Sequence, residues 1–354
     1  MNKSKSASQS NSELDREETR REVQMMFSEL ERGRPEVQPS KYWMKLNKGN
    51  QDQLFTSGFE NFRRTVAKDY FTWTRMAPWD EQFRFLMKEL PITTTVANMF
   101  RTFMPFKHEF IPLRQSLTYN YLSNMVWDYA VRNFPEIEKL SEPAIGNPPQ
   151  VYRKGRLISQ DLANSGLEAQ FILSEMPKEM KVQTVCELGA GYGRTAHALL
   201  SLRPGLRYVI VDIPPALYVS QRYLSAVYPN RKVFNCRPFE SYAQIKEEFE
   251  SAELAFLLPS QIELLPDECF DLFINISSLH EMSLEQIRYY FAQIHRMTRR
   301  QGCFYLKQWK VSPKIPDHDF VIRREDYPFD GWQVLREREA KIQTHFFEAL
   351  LKRP

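Results

Sequence analysis

Long apolar runs are missing from this 354-residue sequence. No stretch approaches the roughly 18–20 residues that span a bilayer, so insertion into a membrane is not expected. Cysteine is scarce. Cys186, Cys236, Cys269 and Cys303 stand far apart without a CxxC pair, which argues against a zinc site and for small core residues in a reduced, cytoplasmic protein. Neither charge dominates: 48 Lys and Arg face 44 Asp and Glu, for a net charge of +4. No basic block forms a surface that would track phosphates, so nucleic acid is not an expected partner. Residues 1–23 lack the apolar core of a secretory signal. Metal donors are sparse as well. Asp317-His318-Asp319 is the one tempting cluster; behind Pro313 and Pro316 it reads as a solvated turn, and no metal is expected. What is present is ordinary for a chain with a sizeable core: 42% hydrophobic and 26% charged residues. A homo-oligomer is compatible with this composition.

The organisation changes along the chain. Residues 1–13 are rich in Ser, Asn and Lys and read as a disordered tail. Residues 14–32 predict a charged helix carrying Val23, Met25, Met26, Phe27 and Leu30. A mainly helical, aromatic-rich region runs to residue 150. Phe59, Phe62, Val66, Tyr70 and Trp73 fall at helical spacing, as do Tyr119, Leu122, Val126 and Tyr129. Asp80 is placed to cap a helix through Phe83–Met87 that Pro91 ends. The turn-rich stretch Glu142–Pro149 is the expected boundary.

From residue 151 strands and helices alternate. Val182–Leu188, Arg207–Ile213, Glu253–Leu258, Phe270–Ile276 and Cys303–Trp309 read as strands. Helices are expected over Arg194–Leu202, after Pro214-Pro215, near Ser241–Phe249, and from the capping box Ser283-Leu284-Glu285-Gln286. Arg299 and Arg300 are expected in the last turn of that helix, with Gly302 just past its end. This alternation implies a parallel α/β sheet, doubly wound, covered on both faces.

The run Glu187-Leu188-Gly189-Ala190-Gly191-Tyr192-Gly193 joins the first strand to the first helix of that sheet. Glycines let a backbone approach a ligand, and the helix start presents free N–H groups. Those features suit NAD and S-adenosylmethionine alike. Spacing separates them. A dinucleotide fingerprint needs glycine at position 194, where Arg194 stands. The pattern (D/E)xGxGxG resembles the cofactor loop of class I methyltransferases, and the resemblance places Glu187 near the charged amino end of S-adenosylmethionine. Asp212, followed by Ile213, ends the second strand, where a carboxylate can accept both ribose hydroxyl protons. The loop Pro259-Ser260-Gln261 resembles the family's adenine border.

A narrower resemblance rests on Gly155–Ser165, Ser277-Ser278-Leu279-His280-Glu281-Met282 and Lys307-Gln308-Trp309. These look like the sugar O-methyltransferases associated with bacterial surface-polysaccharide clusters. The resemblance implies a Rossmann-like class I methyltransferase domain, a glycan or small-molecule acceptor, and transfer to a sugar hydroxyl. A sugar hydroxyl is a poor nucleophile, so a general base is expected. His280 is the candidate, with Glu281 orienting it or serving as the base itself. Asn275, Ser277 and Ser278 line the same strand end, and Gln160, Asp161 or Asn164 are placed to reach the methionine carboxylate or amine. Tyr70, Trp73, Trp79, Tyr119 and Trp127 offer aromatic faces for stacking on pyranose rings, in a region expected to cap the cleft and build the acceptor pocket, but aromatic stripes at helical spacing are usually core, and that is the stronger reading of them. Methylation of another small-molecule hydroxyl or amine, and a non-catalytic cofactor-binding module, are the rival readings.

Overall fold

A computed structural model of the chain describes residues 2–66, 80–102, 113–314 and 321–354. Helix α1 spans Asn2–Glu31. It takes in the segment expected as a disordered tail, which holds no glycine or proline to stop a helix. A linker leads to α2 (Lys41–Ser57), whose N-terminus is capped by the Ser40 hydroxyl accepting from Trp43 N. Helical spacing had suggested a helix through Phe59, Phe62 and Val66. Instead α2 stops at Ser57, Gly58 turns the chain, and Phe59–Asn61 form a single 3-10 turn. Tyr70, Trp73, Trp79 and the Asp317–Asp319 cluster lie outside the described residues. Asp80 caps α3 (Glu81–Glu89) as expected, accepting from Gln82 N, and α4 (Ile92–Thr102) follows Pro91. Helix α5 (Leu113–Asn133) buries Tyr119, Leu122, Val126 and Tyr129 on one face. A short hairpin, β1 (Val151–Arg153) and β2 (Arg156–Ile158), leads into α6 (Gln160–Glu175).

The sheet begins with β3 (Thr184–Leu188), α7 (Arg194–Leu202), β4 (Arg207–Val211) and α8 (Ala216–Val227). It continues through β5 (Val233–Phe234), α9 (Lys246–Ser251), β6 (Leu254–Leu257), β7 (Phe270–Ile276) and α10 (Leu284–Met297). Strands β8 (Thr298–Trp309), β9 (Gln333–Glu339) and β10 (Phe346–Lys352) complete it. Eight strands lie in the order β5-β6-β4-β3-β7-β8-β10-β9. Pairing is parallel from β5 to β8, while β10 runs antiparallel to both β8 and β9. This is the doubly wound, Rossmann-like sheet that the sequence predicts, closed at one edge by a reversed hairpin that it does not.

Two further expectations needed correction. The capping box forms, with Ser283 and Gln286 each accepting from the other's backbone N–H. But α10 ends at Met297, so Arg299, Arg300 and Gly302 belong to β8. Ladder pairing to β7 and β10 outweighs the local helix signals there. The piece expected as a helix over 241–249 is a 3-10 turn at Tyr242–Gln244 followed by the short α9.

Strand alternation divides the core into two layers. In β4, Tyr208 and Ile210 face a layer shared with α7 and α8, whereas Val209 and Val211 face one shared with α9 and α10. Val23, Met26, Leu30 and Phe62 of the N-terminal region are fully buried in the first of these layers. Among the described residues no helix is long and apolar enough to cross a membrane, and no group of three metal-binding side chains occurs. Strand β3 pairs with β4 on one side and β7 on the other, so the chain reverses direction across the sheet at this point. A ligand crevice is expected there, beyond the carboxyl ends of the strands.

Candidate active site

A cleft of about 400 Å³ opens at that place. Volumes of roughly 300–1,000 Å³ are usual for small-molecule sites. Its floor is the turn after β3. Gly189 and Gly193 have φ of +72° and +89°, a left-handed conformation that glycine adopts without strain. At Gly189 a Cβ would also lie 2.4 Å from the Ser278 Oγ. The turn is held by Gly189 N donating to the Val211 carbonyl (2.8 Å) and Gly191 N donating to Asp212 Oδ2 (2.7 Å). The other Asp212 oxygen accepts from Ile213 N. Each oxygen keeps further lone-pair capacity.

Three carboxyl groups line this space: Glu187, Asp212 and Glu281. Desolvation lifts Glu187 and Asp212 to about 7 and Glu281 to about 8, because burial penalises the charged form. Glu187 accepts a hydrogen bond from the Tyr208 hydroxyl (2.7 Å), and Glu281 one from the Trp43 indole. Among the described lining residues Arg194 is the one guanidinium or ammonium, and it is already paired. Glu168 of α6 clamps it at 2.7 Å and 3.3 Å and also binds Lys307 of β8 at 2.9 Å. Burial alone would raise the Glu168 carboxyl; the two cations hold it below its ordinary value instead. The cleft therefore favours a ligand that carries positive charge over a polyphosphate.

His280 and Glu281 sit on a 3-10 turn, Leu279–Glu281, directly after β7. His280 is 4% exposed, and burial lowers its imidazole to about 4, so it is neutral at pH 7. Its Nε2 lies 3.6 Å from Glu281 Oε1, and the Glu281 side chain stays 20% open. The ring meets the Trp309 indole edge-on, with centroids 6.2 Å apart.

Of the residues singled out from the sequence, Glu187, Gly189, Ala190, Gly191, Tyr192, Asp212, Ile213, Ser277, His280 and Glu281 line the cleft together. Others do not. Gly193 caps α7 behind the turn. Gln261 is turned back on Leu258 N and the Arg237 carbonyl, so Pro259 is the residue of its loop that reaches the cleft, and Ser260 is not. Asn275 is fully buried beneath it, donating to the Leu188 carbonyl and Ser278 Oγ. Gln160 is buried off the cleft with neither amide atom hydrogen-bonded. Tyr119 and Trp127 pack into the helical core, so among the described residues the aromatic lining comes from Trp43, Tyr192, Tyr290 and Trp309. Trp43 arrives with Val37, Gln38, Pro39 and Ser40, a strap from the α1–α2 linker. Gln286 ties it down by donating to the carbonyls of Glu36 (3.1 Å) and Gln38 (2.9 Å). Nothing in the local pattern of 33–43 signals this, because the partners lie some 250 residues away.

No protein-family model matches the chain. A 67-residue stretch is 37% identical to acetylserotonin O-methyltransferase of Bos taurus; it covers 19% of this chain and 18% of that enzyme, so the chain spans less than a fifth of this curated relative. Among solved structures, an S-adenosylmethionine-dependent methyltransferase of Leishmania major is 13% identical over 55% of this chain and 74% of that one, with a TM-score of 0.40. Magnesium protoporphyrin IX methyltransferase from Synechocystis, with S-adenosylmethionine bound, is 10% identical over 79% of this chain and all of its own, with a TM-score of 0.39. By its own strand order and reversed edge hairpin, the chain has the class I methyltransferase Rossmann-like fold.

Proposed function

We propose that the chain is an S-adenosylmethionine-dependent O-methyltransferase that acts on a sugar hydroxyl, in a glycan or nucleotide-sugar precursor, in the cytoplasm. The observation that carries the cofactor is the acidic lining of the cleft around a glycine turn. Glu187 suits the ligand's ammonium group, Asp212 its ribose hydroxyls, and among the described lining residues no cation is left unpaired for a pyrophosphate. When bound, S-adenosylmethionine supplies a methyl carbon already activated by a sulfonium. What the chain's residues must supply is alignment, exclusion of water and a place for the acceptor proton. The strap with Trp43 helps to enclose the cleft. His280 Nε2 stands ready to take the proton, and an ionised Glu281 beside it stabilises the imidazolium that forms. Trp43, Tyr290 and Trp309 offer faces on which a pyranose can stack.

The same aromatic lining suits a planar phenol, and the short match to acetylserotonin O-methyltransferase favours that second reading of the acceptor. Calorimetry with S-adenosylmethionine and with NAD tests the cofactor; NAD binding without S-adenosylmethionine binding would overturn the proposal. Incubation with labelled cofactor and a panel of nucleotide sugars, glycans and phenols tests the acceptor. Cofactor binding without transfer to any of them would favour a non-catalytic module.

A further inference from the structure

Beneath the cleft lies a chain of amide groups whose ends are both anchored on backbone. Asn275 Nδ2 donates to the Leu188 carbonyl at 2.8 Å, at the end of β3 where the glycine turn starts. A carbonyl can only accept, so this bond fixes which end of the Asn275 amide is nitrogen. Its Oδ1 then faces Gln308 and accepts from Gln308 Nε2. That leaves Gln308 Oε1 towards His280, where it accepts from the His280 backbone N–H at 3.3 Å and lies 3.2 Å from Nδ1. The backbone N–H can only donate, so the second anchor demands the same orientation as the first. Asn275 and Gln308 are both fully buried, and water does not compete for these bonds.

We infer that Gln308 is a positioning residue that sets the tautomer of His280: Nδ1 carries the proton, and Nε2 presents its lone pair to the cleft. With the proton on Nε2 instead, two buried acceptors, Nδ1 and Gln308 Oε1, would face each other at 3.2 Å with no proton between them. A neutral imidazole free in water prefers its proton on Nε2, so the protein holds the less common form, the one with a lone pair beside Glu281 at 3.6 Å. The relay also ties the histidine to the glycine turn, since both hang on Asn275. The catalytic consequence rests on the methyltransferase reading; the tautomer itself does not.

The test is a proton–nitrogen correlation spectrum of the histidine side chains in the full chain, with His280 assigned through His280→Asn. The native protein should show His280 protonated at Nδ1. Gln308→Met keeps the volume but removes the acceptor, and should move His280 to the Nε2-protonated form. Turnover should fall by about 10²–10⁴-fold. Gln308→Glu, held protonated by burial, offers its carbonyl oxygen to Nδ1 and its O–H to Asn275 Oδ1, and should keep the native signature and most of the turnover. A native His280 protonated at Nε2, or a Gln308→Met spectrum identical to the native one, would overturn the inference. If Gln308→Met fails to fold, the native and Gln308→Glu spectra still decide it. A native protein with the Nδ1 signature but no methyl transfer would sink the proposed function and leave this inference standing.

Discussion

Glu187 and Asp212 hold protons near neutral pH that ordinary carboxyls, with values near 4, have already released. At these two groups the folded state therefore binds more protons than the unfolded chain between about pH 4 and 7, and the sign of their linkage follows. Their contribution to the stability of the ligand-free protein should fall as pH rises through that window, opposite in sign to that of His280 and His345, which burial lowers to about 4; the difference between thermal melts of the native chain and of Glu187→Gln and Asp212→Asn across pH 4.5–8 would read it. A ligand that brings an ammonium to Glu187 and hydroxyl donors to Asp212 favours the ionised forms. Binding of S-adenosylmethionine should release protons below about pH 7 and tighten as pH rises towards it. Calorimetry in buffers of different ionisation enthalpy measures this; no proton release at pH 6 would count against the assignment of these carboxyls. Glu281 and His280 give a second dependence. With Glu281 lifted to about 8 and His280 lowered to about 4, the rate should climb with pH up to about 8 and show no limb near 6.5. Glu281→Gln should remove that limb, and His280→Ala should cut turnover by about 10²–10⁴-fold with cofactor affinity nearly intact. Glu187, Asp212, His280 and Glu281 were legible because each stands at a fixed offset from a strand end. The positioning role of Gln308 and the lining role of Trp43 were not, because a buried amide and a helix-start tryptophan become functional only through partners far away in the sequence.

At the scale of elements, the glycine turn and the strap both line the cleft. Gly189→Ala combines left-handed backbone with a Cβ driven against Ser278, and both effects act on the floor of the cleft. A cost of about 1–2 kcal/mol for the backbone alone makes a loss of cofactor affinity of about tenfold or more the expected outcome. Gln286→Ala removes both bonds that hold Glu36 and Gln38, each worth about 0.5–1.5 kcal/mol, together with half of the capping box of α10. Amide exchange over residues 36–40 should quicken and the cofactor should dissociate faster. Unchanged exchange there would show that the strap is held by other means. The box itself was readable from Ser283 and Gln286, since a cap is a local device. The second use of Gln286 was invisible, as was the β9–β10 hairpin. Strand β9 is polar and mostly exposed, while β10 is buried almost throughout, so neither shows the alternation that identifies a half-buried strand.

The whole molecule binds the helical region and the sheet more closely than the turn at Glu142–Pro149 suggests. Turn residues report on the local path of the chain; they carry no information about which apolar stripes share a core. The structure puts Val23, Met26, Leu30 and Phe62 against the helices on one face of the sheet, with Phe62 tilted on Tyr192 at 5.8 Å. Arg63 lies over the same Tyr192 ring at 4.4 Å and forms a buried, bidentate pair with Glu142. Hairpin residues Val151 and Ile158, beyond the expected boundary, belong to the core of the helical region. Removing residues 1–150 would strip those four side chains from the core and expose the apolar surface they cover, at about 1.5–3 kcal/mol for each. The sum, roughly 6–12 kcal/mol, is comparable with the whole stability of a typical protein, about 5–15 kcal/mol. A chain starting at residue 151 should therefore fail to melt cooperatively and should bind no cofactor. Circular dichroism melts and calorimetry on that fragment check this. A soluble fragment with a sharp transition and native cofactor affinity would mean that the sheet is an independent domain and that the N-terminal region is an added lid.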